Sequence, residues 1–362
     1  MYKVNINPHW EITQQDGASM GTSLDTSVLL ELLVSIQHTG SISKAALALG
    51  LSYRHAWGLL REVEIVFGAT LLNKGRGRGT SLTPLAEKLI WAERRIAARL
   101  SPMLETLSSE LERELNKTIA DKAKSIRLHA SHGFAVAALL KHINEAKLPL
   151  ELRYRNSTDA VAALYQNECD LAGFHVPIGQ FERSAVALYA KWLNPNTHYL
   201  IHLAIRSQGL FVPAGNPKGI HGLDDLQRPG VQFVNRQDGS GTRMLLELML
   251  AGAKLSKNDI NGFETAEFTH SAVAAYIASG MADVGFGVQT AAQRFGLDFI
   301  PLVRERYFFA VPLVALEQPL IRQVIDILQS ASFNAVVKGL AGYDATDTGK
   351  IFSLPQAFGD MV

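Results

Sequence analysis

At 362 residues the chain is long enough for two or three domains. A formal charge of +1 supplies no global attraction to nucleic acid, and a lone cysteine, Cys169, excludes disulfide frameworks and thiolate metal sites within one chain. No stretch resembles a membrane span or secretory signal, and the start is polar (Lys3, Asn5, Asn7), so a cytoplasmic protein with no membrane partner is expected.

Val4, Ile6, Trp10 and Ile12 alternate as short strands or a hairpin would, and residues 14–22 are turn-like. Asp25 can cap a first helix with Val28, Leu29, Leu32, Leu33 and Ile36 on one face. Gly40 ends it. Ser41 caps a second helix, Gly50 and Leu51 turn, and Ser52 caps a third that runs to about Phe67. Two helices across a short Gly-containing turn fit a helix-turn-helix, although spacing alone also fits any helical hairpin. The third helix carries Tyr53, Arg54, His55 and Trp57 in its first turns. Residues 71–83 then read as two short extended runs around a Gly/Arg tip. Lys74, Arg76 and Arg78 charge that tip with no acidic neighbour, which suits a phosphate backbone.

The run from Gly40 to Ala46, the run from Leu51 to Trp57, the Gly-Arg-Gly wing and the Leu82-Thr-Pro-Leu-Ala86 segment resemble the winged helix-turn-helix of LysR-type regulators. Ser52-Tyr-Arg-His-Ala-Trp57 is most similar to the molybdate-responsive ModE branch. The resemblance covers about residues 20–90. Ala86 departs from the Gly of many relatives and bears only on a helix start. The resemblance implies DNA contacts at Ser43, Ser52, Tyr53, Arg54, His55, Lys74, Arg76 and Arg78, with a palindromic double-stranded operator as partner.

From Pro84 to about Asn116 the pattern is one long helix with Leu100, Leu104, Leu107, Leu111 and Leu115 on a stripe. The stripe fits a two-stranded coiled coil or a helix packed on its own chain. In LysR-type proteins the equivalent helix pairs two chains, so a homodimer or tetramer is expected. A polar, lysine-rich linker follows at 117–125.

Thereafter strands alternate with helices, which implies a parallel sheet covered on both faces, with ligands at the carboxyl ends of strands. Four such ends carry small hydroxyl residues before a helix: Ser131, Ser157 with Thr158, Ser240 with Thr242, and Thr269. The most informative is Phe233-Val-Asn-Arg-Gln-Asp-Gly-Ser-Gly-Thr-Arg243. A strand ends, Gly239 and Gly241 bend the chain, and a helix opens on Ser240 and Thr242, flanked by Arg236 and Arg243. Such a turn is either an ordinary Ser/Thr cap or a cradle for an anion. Asp159 and Asp238 read as cap or supporting groups; His132 and His270 could donate or be structural.

Residues 205–216 and Tyr307–Val311 read as crossings between two lobes. Gln208-Gly-Leu, Gly215-Asn-Pro and residues 235–243 resemble the molybdate-binding domain of type II periplasmic-binding-protein fold that is found fused to helix-turn-helix domains. Arg236-x-Asp-x-Ser-Gly-Thr242 is also similar to tungstate-binding transport proteins, where the matching arginine contacts the oxyanion. The implied ligand shell is Ser131, Ser157, Thr158, Arg236, Ser240, Gly241, Thr242 and Thr269, with molybdate or tungstate as effector and no cofactor or metal cation.

The expected fold is thus an all-α winged helix-turn-helix domain (1–83), a dimerisation and linker helix (84–125), and an α/β two-lobe effector domain (126–362). Lobe one covers about 126–204 and 306–362, and lobe two about 205–305. The expected function is a one-component transcription regulator sensing a tetrahedral oxyanion. Its alternative is a LysR-type regulator sensing a small organic acid. An enzyme is not expected, since no Gly-x-Ser-x-Gly elbow, His-Glu-x-x-His or Walker lysine occurs.

Overall fold

The structure is a computed structural model and describes residues 3–8, 11–13, 23–75, 79–119 and 125–361. Trp10, residues 14–22, the wing-tip residues Arg76 and Arg78, and 120–124 lie outside the described residues. The chain divides into two compact units, 7–97 and 98–362 with 1–6.

In the smaller unit β1 (Glu11–Thr13) pairs antiparallel with β2 (Ser23–Asp25). Three helices follow: α1 (Thr26–Thr39), α2 (Ile42–Ala48) and α3 (Tyr53–Phe67). Asp25 closes β2, so α1 begins one residue later. The hydroxyls of Ser41 and Ser52 accept from the Lys44 and His55 amides and set the starts of α2 and α3. Gly68 ends α3 at φ 62, where a side chain would be strained. Leu29, Leu33 and Ile36 of α1 pack with Ala45, Ala46, Ala56 and Leu60. The alanines let these helices approach closely. The strands β3 (Leu72–Gly75) and β4 (Gly79–Leu82) form the antiparallel wing. The long α4 (Pro84–Ile119) buries Ala86 in the same core.

Val4 and Ile6 do not form a strand. The Val4 amide donates to Glu112 Oε1 at 2.9 Å and Lys3 Nζ lies 3.1 Å from Glu112 Oε2. A charged anchor on α4 replaces the expected ladder there.

The larger unit begins within α4, at Ala98. It continues with β5 (Ile126–Ala130), α5 (Phe134–Glu145), β6 (Leu150–Tyr154), α6 (Ser157–Tyr165), β7 (Leu171–Pro177) and α7 (Glu182–Tyr189). The 15-residue β8 (His198–Val212) leads to β9 (Phe233–Arg236), α8 (Gly241–Gly252), β10 (Ala266–Glu267), α9 (His270–Ala278), β11 (Val284–Val288) and α10 (Gln289–Arg294). The equally long β12 (Asp298–Pro312) returns. Five elements finish the chain: α11 (Pro319–Gln329), α12 (Ala331–Lys338), β13 (Tyr343–Asp344), β14 (Ile351–Ser353) and α13 (Leu354–Phe358).

One sheet runs through both lobes in the order β10-β9-β11-β8-β12-β7-β5-β6. Parallel pairs flank the two long antiparallel crossings β8 and β12. Strand alternation sends Phe309 to one face, with Leu128, Val324 and Phe333, and Phe308 to the other, with Phe174 and Tyr189. Lobe two packs Phe233, Leu246 and Phe286 on one side and Val234, Val273 and Ile277 on the other. Helices therefore cover both faces of each lobe, as parallel strands require.

At the crossing, Gly209 is in register with Gly287 on one side and Pro301 on the other. A Cβ there would stand 2.0 Å from the Ile300 carbonyl oxygen. Gly209→Ala should therefore destabilise the larger unit by about 1–3 kcal/mol, or several degrees in Tm. Gly222→Ala, with open space around it, should be close to neutral. Thermal melts of both variants check this; equal melting temperatures would contradict the close approach.

Candidate functional site

Four helix starts follow the carboxyl ends of β5, β6, β9 and β10. Gly133, Asn156, Ser240 and Thr269 are the N-caps of α5, α6, α8 and α9. Two of these starts face each other between the lobes. A Cβ on Gly239 would stand 3.2 Å from Asn156 Nδ2, and one on Gly241 would stand 3.4 Å from Ser157 Oγ. A Cβ on Gly133 would stand the same 3.4 Å from Arg206 Nη1. The positive ends of helix dipoles thus gather with their unpaired amides.

Two buried guanidiniums stand among them. Arg206, on β8, is paired with Glu305 of β12, and both are almost fully buried. Arg236, at the end of β9, is 6 % exposed and donates from Nη2 to the Phe268 carbonyl at 2.7 Å. Its Nε has no partner, and it forms no ion pair among the described residues. Burial pulls the Arg236 guanidinium down to about 9, Arg206 acts in the same direction, and Glu305 opposes them. It remains a cation at neutral pH. Arg206 has Glu305, whereas Arg236 has no carboxylate of its own among the described residues, and such a buried cation is costly unless an anion joins it.

The histidines add donors without adding charge. Burial, then Arg206 and Arg236, hold His175 well below its ordinary value; burial, then Arg236 and Arg206, do the same to His270. Ser157 Oγ lies 3.0 Å from His175 Nδ1. If Nδ1 accepts the hydroxyl, Nε2 carries a proton with no acceptor; if Nδ1 donates, the Ser157 hydroxyl turns to Tyr189. The tautomer protonated at Nε2 leaves that donor over. His175 packs edge-on against Tyr307 at 4.4 Å, and Tyr307 lies beside Ser131. Gln208 is fully buried with neither amide atom partnered, two residues from Arg206 on the same face of β8.

The structure therefore draws Ser131, Ser157, Arg236, Ser240 and Gly241 toward one place between the lobes. Thr158 is half-buried in the first turn of α6, and Thr242 is buried in that of α8. Ser240 Oγ accepts from the Arg243 amide as a cap and keeps its proton to donate.

Two expectations need correction. Thr269 cannot donate to an anion, because its hydroxyl already donates to the Ala98 carbonyl at 3.0 Å while accepting from the Ala272 amide. Arg243 does not flank the cradle. It turns to Glu264 (2.9 Å) and Glu247 (3.3 Å) and lies over Phe263. Asp238 is exposed, and Asp159 accepts from Asn156 Nδ2 beside the cap of α6. Sequence reasoning gave no site role to Arg206, Gln208, His175, Tyr307 or Glu305. The signal available was charge inside an apolar strand, since such residues are rarely buried unless paired.

In the smaller unit Ser43, Ser52, Tyr53, Arg54 and His55 are all exposed. Ser52, Arg54, His55, Gly58, Leu59 and Glu62 line a shallow concavity on α3. Tyr53 stacks on Trp57. Lys74 lies in β3. Among the described residues no helix is long and apolar enough to cross a membrane, and no group of three or more His, Cys, Asp or Glu is placed to hold a metal ion.

The chain thus combines a winged helix-turn-helix, one long helix and a two-lobe α/β domain. Residues 28–87 match the bacterial regulatory helix-turn-helix model of the lysR family, and residues 140–329 match the PBP superfamily domain. The chain belongs to the PBP superfamily and carries, over residues 28–87, a helix-turn-helix of the lysR family. It is 34% identical over 214 residues to the uncharacterised protein YvgK of Bacillus subtilis (strain 168), covering 59% of this chain and 69% of that one. It is 30% identical over 148 residues to the molybdenum-pterin-binding protein MopB of Rhodobacter capsulatus, covering 40% of this chain and about half (52%) of MopB. A cysteine mutant of Corynebacterium glutamicum OxyR with bound hydrogen peroxide superposes with a TM-score of 0.42 at 14% identity, over 85% of this chain and 93% of that one.

The buried histidines give the domain a pH dependence. Their folded-state values lie below the ordinary 6.5, so the unfolded chain binds more protons. His129 adds to this, pushed down to about 4 by burial and then by Arg155. Stability should be level above about pH 7 and fall as pH drops from 6.5 toward 4. Thermal melts across that range check the sign; a Tm that is flat or rises between pH 6.5 and 5 would contradict neutral, buried imidazoles.

Proposed function

We propose that the chain is a LysR-type regulator that senses a fully deprotonated tetrahedral oxyanion, molybdate or tungstate, held between its lobes. The observation that carries the reading is the buried charge of Arg236, set among helix starts and unpartnered donors. Such anions accept from every side, so a shell of amides, hydroxyls and guanidinium donors suits them. In this reading Ser131, Ser157, Arg236, Ser240 and Gly241 contact the anion, Thr158 and Thr242 supply first-turn groups, and Arg206 and Gln208 join them. The 30% identity to MopB, a molybdenum-pterin-binding protein, supports the same element.

A second reading is a small organic acid, favoured by the two guanidinium forks at Arg206 and Arg236, which suit a carboxylate. A thermal-shift screen with molybdate, tungstate, sulfate, phosphate and organic acids separates the two, because only a ligand that binds the folded state raises Tm. The stripe of Leu100, Leu104, Leu107, Leu111 and Leu115, of which the last three are exposed, is the face through which α4 pairs two chains. Thr269 acts on the site only through its contact with α4.

A charge-assisted bond contributes about 1.5–3 kcal/mol. Arg236→Ala should accordingly weaken tungstate or molybdate binding by roughly ten- to a hundred-fold, and Arg236→Lys should recover only part. Titration calorimetry reads both; undiminished affinity in Arg236→Ala would sink the placement of the site.

On the DNA side, Ser43, Ser52, Tyr53, Arg54 and His55 face the operator and Lys74, Arg76 and Arg78 hold its backbone. Arg54→Ala should cost about 1–3 kcal/mol on the operator and relax its sequence preference. Arg76→Ala with Arg78→Ala should weaken all sequences alike and flatten the salt slope by about one for each phosphate no longer neutralised. Binding titrations at several salt concentrations distinguish these outcomes; an unchanged slope in the double variant would remove the wing from the interface.

A further inference from the structure

The helix α4 contains Pro102 in its interior. Proline has no amide hydrogen, so the carbonyl four residues earlier, that of Ala98, loses its helical donor. The hydroxyl of Thr269 supplies one, at 3.0 Å and 171 positions away in sequence. Thr269 caps α9 at the candidate anion site.

The neighbouring contacts make this joint part of a larger clasp. Glu267, only 2 % exposed, pairs with Arg99 Nε of α4 at 2.9 Å. Between Glu267 and Thr269 stands Phe268, whose carbonyl accepts from Arg236. Three consecutive residues thus hold α4, then the site cation, then α4 again. Lobe one grips the helix a little further on. Tyr154 donates from its hydroxyl to Glu105 Oε2 at 2.6 Å, and its ring packs edge-on against His132, beside Ser131. The Leu152 amide donates to Ser109 Oγ at 2.8 Å. Arg113 with Glu151 and Glu110 with Arg153 extend the grip along β6.

We infer that residues 98–113 of α4 are a strap across both lobes. Its Ala98–Pro102 joint, docked on Thr269, couples occupancy of the anion site to the helix that continues into the DNA-binding unit. This rests on the anion reading above. Both lobe contacts are made while the cleft is narrow enough that a Cβ on Gly241 would stand 3.4 Å from Ser157 Oγ. The strapped arrangement is therefore the closed one, and an anion that favours closure tightens the strap. Coupling is reciprocal, so loosening the strap weakens anion binding by the factor through which the anion tightens it. Pro102 keeps the joint open to an outside donor. An amide at that position would satisfy Ala98 within the helix and make the Thr269 contact dispensable.

The test uses the full chain and tungstate as probe. Calorimetry gives affinity, deuterium exchange reports residues 98–113, and DNA titration reads operator affinity with and without the anion. Wild type should show slower exchange in 98–113 and an operator affinity changed about five-fold or more when tungstate is bound. Arg99→Gln should weaken tungstate several-fold, and Arg99→Lys should restore part of it. Pro102→Ala, a helix-favouring change remote from the anion, should bind tungstate yet lose most of the operator response. Arg236→Ala without anion should speed exchange in 98–113, because it frees the Phe268 carbonyl. If tungstate binds but neither exchange nor operator affinity responds, or Pro102→Ala keeps the full response, the strap is overturned. If wild type binds no tungstate, the anion reading falls; unchanged exchange in Arg236→Ala would then overturn the strap separately.

Discussion

Burying a guanidinium without a carboxylate of its own is unfavourable, and Arg236 is in that position. Much of the effector domain is arranged around that constraint. Arg206 would repeat the problem, but Glu305 neutralises it from the adjacent crossing strand. What is left is one positive charge, helix amides without helical partners, and imidazoles kept neutral by burial and by the guanidiniums themselves. A protein that did not need an anion there could remove the cost with an apolar side chain. Keeping the charge makes sense when a ligand completes it.

The sheet explains how the charge can be both buried and reachable. β8 and β12 run through both lobes, with register irregularities at Pro301/Val303 and Tyr307/Phe308, so the lobes share two strands. Arg206 and Glu305 lie on those strands, whereas Arg236 and the starts of α8 and α9 belong to lobe two, and those of α5 and α6 to lobe one. Bending at the crossings can separate the two groups of donors without unfolding either core.

Much of this was legible in the sequence, for local reasons. Ser41, Ser52 and Ser240 announce helix starts because a cap and its amide lie within three residues. The wing and the two-lobe alternation follow from periodicity and glycine placement. The rest depends on partners far along the chain. Arg206 and Gln208 look like any residues of a crossing strand until β12 sets Glu305 beside them. Arg243 sits one turn from the cradle, and only the folded position of Glu264 draws it away. The Thr269 hydroxyl fits an anion as well as it fits Ala98; a proline three helical positions beyond Arg99 decides the matter. The α4 leucines were visible as a stripe, but not the opposite polar face that Tyr154 and Leu152 take up.

The central claim is that an oxyanion completes the charge at Arg236. A crystal of the full chain soaked with tungstate, measured at the tungsten absorption edge, tests it directly. The account requires one strong anomalous peak per chain, between Arg236, Ser157 and the start of α8, within hydrogen-bond distance of the Arg236 Nε. A peak elsewhere, or none in crystals shown to bind the anion in solution, would contradict it.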